Sequence, residues 1–401
     1  MASGPAARPA ARSRRVTAGL AFLAVFLTLA LAIHAYLAQR LVLAPAWPGA
    51  WQAAGLGLLG AGFTALLVQV FVRRRTSRAL GVLAWSAYTW LGLVFLLLVA
   101  TLASDAALAL LGAAEPAGAT GGVAPARVRA LVAAVVGLSL AAAALRGGMA
   151  PPSLVRVEIP LARWPRALDG FRIVQLSDLH LGPLLDRRFA ASLVERVTAL
   201  APDLVVVTGD LVDGGVGRVG DEVAPLGALR ARHGVWFVTG NHDYYSGADD
   251  WVARVSALGW RALRNERVAI GADGAGFDLA GVDDHHGALV GPGGGEDLER
   301  ALAGRDPERP VVLLAHDPAT FRRAARREVD LQLSGHTHGG QIWPFRWAVR
   351  LTVPWVEGLH RVGRSTLYVS RGTGFWGPPM RLRAPAEISE LVLRYPGGSA
   401  Q

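Results

Sequence analysis

The sequence contains no cysteine and no lysine. Without cysteine there is neither a disulfide nor a thiolate ligand, so any metal this chain holds rests on His, Asp, Glu or Asn. All 41 basic residues are arginines, and they carry the formal net charge of +10. That uniformity looks like codon usage rather than a surface selected for phosphate. Many of the arginines also flank apolar segments, where membrane orientation accounts for them. Nucleic acid is therefore an unlikely partner. Charged residues make up only 18% of the chain against 52% hydrophobic, and the mean hydropathy is +0.33. That is high for a soluble protein and points to membrane segments. A length of 401 residues makes two units the natural expectation.

Four apolar runs, at about 16–38, 52–72, 80–103 and 128–146, each approach the roughly 20 residues a helix needs to cross a bilayer. One such run can be a buried soluble helix; four in succession, separated by short Arg- or Pro-bearing loops, read as a transmembrane domain over residues 1–146. Ser13-Arg14-Arg15 resembles a twin-arginine export start. However, Thr17 stands where a bulky apolar residue is usual and no small-residue cleavage site follows, so the first run is read as a retained helix. Arg8, Arg12, Arg14 and Arg15 precede the first run, and Arg73, Arg74, Arg75 and Arg78 lie between the second and third. The other side holds Arg40, Arg127 and Arg129. Positive residues stay inside, so both the N-terminus and the chain at Arg146 are expected in the cytoplasm, in a multi-pass protein of the cell membrane. His34 and Asp105 are ionisable within the runs but near their ends, where side chains reach the interface. Residues 147–153 read as a linker.

From Leu154 the pattern changes, and a second domain is expected over 154–396. Short β-rich runs at 171–176, 204–208, 235–239, 277–282, 311–315, 331–334 and 366–370 alternate with helical segments such as 187–200 and 249–258. Strand–helix–strand alternation implies right-handed crossovers and a largely parallel sheet, with the later runs forming a second sheet. In open α/β sheets, ligands bind beyond the carboxyl ends of the strands. Polar clusters stand there repeatedly: Asp178 and His180, then Asp210, Asn241-His242-Asp243, His316, and finally His336 and His338. Each alone has a bland account. An Asp after Gly caps turns, and a lone His is commonly a satisfied structural side chain. Together, Asp178, His180, Asp210, Asn241, His316, His336 and His338 form an oxygen and nitrogen donor inventory suited to Mn, Fe or Zn. For His336 and His338 to serve two neighbouring ions the backbone must turn, a freedom placed at Gly335, Gly339 and Gly340.

The order D-x-H, G-D, G-N-H-D, H, G-H-x-H resembles the calcineurin-like metallophosphoesterase family. Asp178-Leu179-His180-Leu181-Gly182 and Ser334-Gly335-His336-Thr337-His338-Gly339-Gly340-Gln341 are most similar to its membrane-anchored bacterial branch. The resemblance spans about residues 154–395. It implies a four-layer α/β/β/α sandwich with two central sheets and two divalent metal ions, with Mn preferred. It also implies roles: Asp178, His180 and His338 on one ion, Asn241, His316 and His336 on the other, and Asp210 bridging with one oxygen for each. His242 would contact the phosphate and assist the leaving oxygen, with Asp243 accepting its other ring proton. Two divalent ions neutralise an anionic phosphoester and lower the pKa of a bridging water, so hydroxide attacks in line. The expected function is hydrolysis of a phosphodiester or pyrophosphate bond. The bilayer shifts the expected substrate toward a lipid-linked one such as UDP-diacylglucosamine. A nuclease or cyclic-nucleotide phosphodiesterase, and a non-catalytic membrane sensor of metal or phosphate, are the alternatives. Asp283-Asp284-His285-His286 is read as supporting rather than as a third metal site. Asp213, Asp317, Tyr244 and Tyr245 are read as pocket-shaping residues near the motifs, and Arg371 as a weak candidate for phosphate contact.

Overall fold

In the computed structural model, which describes residues 7–72, 78–110, 123–272, 275–290 and 294–397, the four apolar runs are helical. They are α1 (Ala7–Leu37), α2 (Gly49–Val72), α3 (Arg78–Leu110) and α4 (Val123–Met149). They contain four stretches long and apolar enough to cross a membrane, Leu23–Leu43, Gly49–Val70, Leu80–Leu110 and Pro125–Met149. Arg73, Arg74 and Arg75, on which the expected orientation partly rests, lie outside the described residues.

The chain divides into two compact units, one of Met1–Arg73 with Ser86–Ala142 and one of Arg74–Trp85 with Ala143–Gln401. In the first unit the two ionisable residues singled out in the apolar runs, His34 and Asp105, both have partners within the protein. His34 donates from Nδ1 to the Ala30 carbonyl at 2.7 Å and accepts the Trp90 indole N–H at 3.0 Å. Asp105 accepts the Tyr36 hydroxyl at 2.7 Å and faces Arg129 at 2.6 Å and Arg40 at 2.9 Å. Two guanidinium groups on one carboxylate neutralise a charge that hydrocarbon would reject.

In the second unit α4 runs to Met149, three residues into the expected linker, and the first strand starts at Ser153, so the connection is 150–152. Gly147 and Gly148 do not break the helix; they permit a close approach. A methyl on Gly147 would meet the Arg381 carbonyl oxygen at 2.3 Å, and one on Gly148 the Pro379 carbonyl oxygen at 2.3 Å. Beside them the Arg381 N–H donates to the Ala144 carbonyl at 2.7 Å.

Two six-stranded sheets follow. The first is built from β1 (Ser153–Pro160), β2 (Phe171–Leu176), β3 (Leu204–Thr208), β4 (Val235–Val238), β5 (Arg261–Ala262) and β12 (Glu387–Arg394), in the order β1-β12-β2-β3-β4-β5. The second is built from β6 (Glu266–Ala272), β7 (Ala275–Gly281), β8 (Val311–Leu314), β9 (Leu331–Ser334), β10 (Gly358–Val362) and β11 (Ser365–Val369), in the order β10-β11-β9-β8-β7-β6. β2 to β5 run parallel, as do β7, β8, β9 and β11; β12 enters antiparallel to β2. Strands such as Leu204–Thr208 are buried at every position because both faces are covered. Ile173, Val206 and Trp236 of the first sheet meet Leu279, Val312 and Leu333 of the second between the sheets. Outside the first sheet, Val205 and Phe237 pack on Leu193 and Trp251 of the helices Arg187–Ala199 and Ala248–Ala257. Outside the second, Val311 and Leu313 pack on Ala301 and Ala324. The result is the expected four-layer α/β/β/α sandwich.

Trp164 closes one end of the inter-sheet core, with ring centroids 5.0 Å from Phe277 and 6.1 Å from Phe171. Truncating a buried Trp removes its contacts and leaves a cavity. Trp164→Ala is expected to cost about 3–5 kcal/mol, read as a lowered midpoint in denaturant unfolding.

Candidate metal centre

The polar clusters sit past the carboxyl ends of β2, β3, β4, β8 and β9, three from one sheet and two from the other. Short connections there force unusual backbone. Asp178 (φ 53°), His180 (φ 46°), Asp210 (φ 51°), His336 (φ 70°) and His338 (φ 51°) all adopt the left-handed region. A non-Gly residue there costs about 1–2 kcal/mol, which the surrounding packing offsets. Gly339 and Gly340, after the pair, also have positive φ, whereas Gly335 before it does not, so the two histidines themselves take up the turn expected of Gly335.

These side chains form a buried cluster. Asp178 accepts the His336 N–H on both oxygens, at 3.0 and 3.1 Å, and its Oδ1 lies 3.4 Å from His338 Nε2. His180 Nε2 is 3.1 Å from His338 Nε2. His336 Nδ1 is 3.0 Å from Asn241 Oδ1 and 3.2 Å from His316 Nε2. Asp210 Oδ2 stands between the two groups, 3.7 Å from His180 Nε2 and 3.3 Å from His316 Nε2. Its Oδ1 accepts the His242 amide at 2.8 Å. One oxygen thus faces both groups, in place of the expected one for each, because the other is engaged by the backbone.

The donor chemistry fits two divalent ions. His316 donates from Nδ1 to the Thr208 carbonyl at 2.8 Å, which leaves the lone pair on Nε2, facing His336 and Asp210. His180 Nδ1 lies 3.1 Å from Asp213 Oδ1, which likewise leaves the lone pair on Nε2, facing His338 and Asp210. Lone pairs and carboxylate oxygens converging on two points repel one another unless a cation lies between them. The sets Asp178–His180–His338 and Asp210–His316–His336 each bring their ligand atoms within 4.8 Å of one another. Burial, with His180 and Arg381 close by, holds His338 well below its ordinary range, and burial with His316 lowers His336. Both are therefore neutral, as a ligand must be. Burial pulls the His316 ring down, but the Asp210 charge overrides it and raises the ring well above its usual range, so Nε2 beside Asp210 attracts a cation of either kind, and a metal ion held there would displace a proton.

His242 stands beside the donor sets, and here one assignment is corrected. Its Nδ1 lies 2.6 Å from Asp213 Oδ1, whereas Asp243 does not hold the ring. Asp243 accepts the N–H groups of Gly240 at 2.8 Å, Asp210 at 2.9 Å and Leu211 at 3.0 Å. The physical reason is a helix the sequence reading missed: Asn241–Ser246 is helical with Gly240 as its cap. The third residue of a helix reaches back to the capping N–H, which aims Asp243 at the 209–211 loop. Burial and the Asp210 charge push Asp243 up to about 7, against the pull of its amide donors.

Asp213 was legible only as a residue near a motif. Its position follows from a bridge between Leu181 and Val212 and from its N–H donating to the Leu181 carbonyl at 3.0 Å. One Asp213 oxygen therefore reaches both His180 and His242. Burial would raise its carboxyl, but the two imidazoles hold it well below the usual range. Burial pulls His242 down, yet Asp210 and Asp213 push it up to about 9. Tyr245 and Trp376 flank the His242 ring, with centroids at 5.4 and 5.5 Å.

Of the remaining candidates, Asp284, His285 and His286 form a third donor group, with ligand atoms within 4.8 Å of one another, outside the two sets above. Asp283 Oδ1 binds Arg264 at 2.5 Å and Thr239 at 3.1 Å. Asp284 Oδ1 lies 2.7 Å from His286 Nδ1. Arg371 pairs through one terminal nitrogen with the buried Glu387 at 2.6 Å.

Close approach makes the centre sensitive at a position with no side chain. A methyl on Gly240 would lie 2.3 Å from Asp210 Oδ1. Gly240→Ala is expected to lower metal affinity about 10–100-fold, measured by plasma mass spectrometry after equilibrium dialysis.

Residues 171–340 match the family described as Calcineurin-like phosphoesterase. A bovine "Transmembrane protein with metallophosphoesterase domain" is 43% identical over 278 residues, which is 67% of this chain and 63% of the relative. The protein of the same name from Danio rerio is 40% identical over 272 residues, 66% of this chain and 62% of the relative. The chain thus spans less than two thirds of these two relatives. An uncharacterized metallophosphoesterase of Aquifex aeolicus is 35% identical over 249 residues, covering 61% of this chain and 93% of that protein. Shared sequence over almost the whole of that relative, on a sandwich with these donor sets, means that the chain belongs to the calcineurin-like phosphoesterase family.

Proposed function

We propose that the chain is a membrane-anchored phosphoesterase that uses two divalent ions, Mn by preference, to hydrolyse a phosphodiester or pyrophosphate bond. The observation that carries this reading is His242. It stands beside the two donor sets, with one ring nitrogen on a buried carboxylate and its side chain partly open to solvent. A metal-binding loop needs no such residue; a hydrolase does.

In this reading Asp178, His180 and His338 hold one ion, and Asn241, His316 and His336 the other, with Asp210 common to both. Ions bound there would neutralise the phosphoester and favour deprotonation of water. The protein's own residues supply the rest. Asp213 engages His242 Nδ1, so Nε2 is the nitrogen left for the substrate. With Nδ1 on the Asp213 carboxylate, which favours the charged ring, Nε2 is placed to give a proton to the departing oxygen. Asp243 acts through the backbone, clamping the loop that carries Asp210. Trp376 and Tyr245 form aromatic walls beside His242 that suit an apolar or nucleobase-bearing leaving group. The four apolar helices, and bovine and zebrafish relatives named transmembrane proteins, favour a substrate met at a bilayer, such as a UDP-linked diacylglucosamine. The arginine placement supports a cytoplasmic catalytic domain.

His242→Ala is expected to lower turnover of a generic phosphodiester about 10²–10⁴-fold while bound metal, by plasma mass spectrometry, stays unchanged. Unchanged turnover would sink the catalytic assignment and favour a sensor. Asp213→Asn, which keeps the shape but weakens the hold on two imidazoles, is expected to cost about 10–100-fold in activity. Asp243→Asn should instead lower the thermal midpoint, because the carboxamide has a single accepting oxygen where two carboxyl oxygens now take three amides. A panel of UDP-linked lipid, cyclic nucleotide and short nucleic acid on the Mn-loaded protein identifies the substrate class. Preference for short nucleic acid would overturn the lipid-linked choice.

A further inference from the structure

Helix Arg346–Thr352 begins a few residues after the metal-site loop and turns large apolar side chains outward. Trp347 is 57% exposed and Leu351 88% exposed, and Trp376 on a nearby loop is 53% exposed. Single exposed apolar residues need no account, but a cluster of this kind does. The two segments are joined. Ile342 pairs with Leu382, and the Gln341 side chain donates to the Trp376 carbonyl at 2.8 Å while accepting the Trp376 N–H at 3.0 Å.

The loop that carries Trp376 also seats the last turns of α4, through the Arg381 to Ala144 hydrogen bond of 2.7 Å and the close approach of Gly147 and Gly148. The end of the apolar span Pro125–Met149 and this surface are therefore neighbours within one unit. The charge around the patch has one sign. The Arg350 guanidinium lies 5.2 Å from the Trp347 ring, and Arg383 and Arg146 are exposed. Residues 341–356 and 376–386 contain no Asp or Glu. Glu357, the next acid along, is paired with Arg346 at 2.9 Å. Tryptophan and leucine among arginines, with no acid, is the composition of a segment that lies in an anionic headgroup layer.

We propose that Trp347, Leu351 and Trp376, with Arg350 and Arg383, form a docking surface that rests in the headgroup layer of the bilayer α4 enters, on anionic lipid. Because the Trp376 ring is 5.5 Å from the His242 ring, docking carries the mouth of the site to the interface. The surface stands on its own side chains and requires no particular reaction, so its test reads position rather than turnover.

The cysteine-free chain makes that test direct. In the full-length protein, Leu351→Cys takes a single environment-sensitive fluorophore. Asp249→Cys, at a side chain 92% exposed on a different segment, serves as the control. Both are reconstituted into vesicles of phosphatidylcholine with or without phosphatidylglycerol, with nitroxide-bearing lipid as quencher. With phosphatidylglycerol, the label at 351 is expected to shift to the blue and to be quenched about 2-fold or more beyond the control. Adding Arg350→Glu and Arg383→Glu should reverse much of that difference. A label at 351 as wet and unquenched as at 249 overturns the proposal. Quenching indifferent to the two charge reversals overturns the assignment to anionic lipid. A label that dries only as protein crowds the vesicle shows a second copy on the surface and also overturns it. Because Leu351 and Arg350 are exposed, these changes leave the core intact, and a thermal melt of each variant confirms it.

Discussion

Asp210 places one carboxylate oxygen between two sets of imidazoles while its other oxygen is fixed by the amide of His242. The rest of the centre follows from that constraint. A carboxylate in that position must approach His180 from one strand end and His316 from another, so the loops after β2, β3 and β8 must nearly touch. Gly240 exists as glycine because Asp210 fills the space a methyl would take. The left-handed backbone at Asp178, His180, Asp210, His336 and His338 is the local cost of pointing ligands from short loops at two common points. The two-sheet core, packed on both sides, makes that strain tolerable.

Two neighbouring carboxylates divide between chemistry and architecture according to what surrounds them. Asp243, at the start of a helix, faces three amide donors and holds the 209–211 loop in place. Asp213, on the far side of the same loop, faces two imidazole rings and sets which nitrogen of each is free. Loss of either disturbs Asp210 or His242, but by different routes, one through backbone position and one through a proton. His242 is thereby tied to Asp210 through its amide and to His180 through a shared Asp213 oxygen.

The apolar third of the chain obeys the same rule of satisfied polarity. Asp105 meets two arginines and a tyrosine, and His34 meets a carbonyl and an indole, so neither is left without a partner. Gly147 and Gly148, which look like a flexible joint, instead press α4 onto the Pro379 and Arg381 carbonyls.

The sequence by itself determined the inventory: four apolar runs, a strand-and-helix domain, and oxygen and nitrogen donors in a fixed order with no sulfur. β2, β3 and β9 were legible to the residue because each is a short run rich in Leu, Val, Ile or Phe that leads into a polar cluster at its carboxyl end. β12 was not, because its polar positions Glu387 and Ser389 are satisfied by Tyr368 from the other sheet. Local pattern cannot report a partner that far along the chain. Likewise the sequence placed Asn241, His242 and Asp243 side by side but not the helix that turns them in three directions. Only the tertiary structure decided that Asp213 rather than Asp243 faces His242. Adjacency along a chain does not set where a side chain points, whereas helix caps, strand bridges and buried charge do.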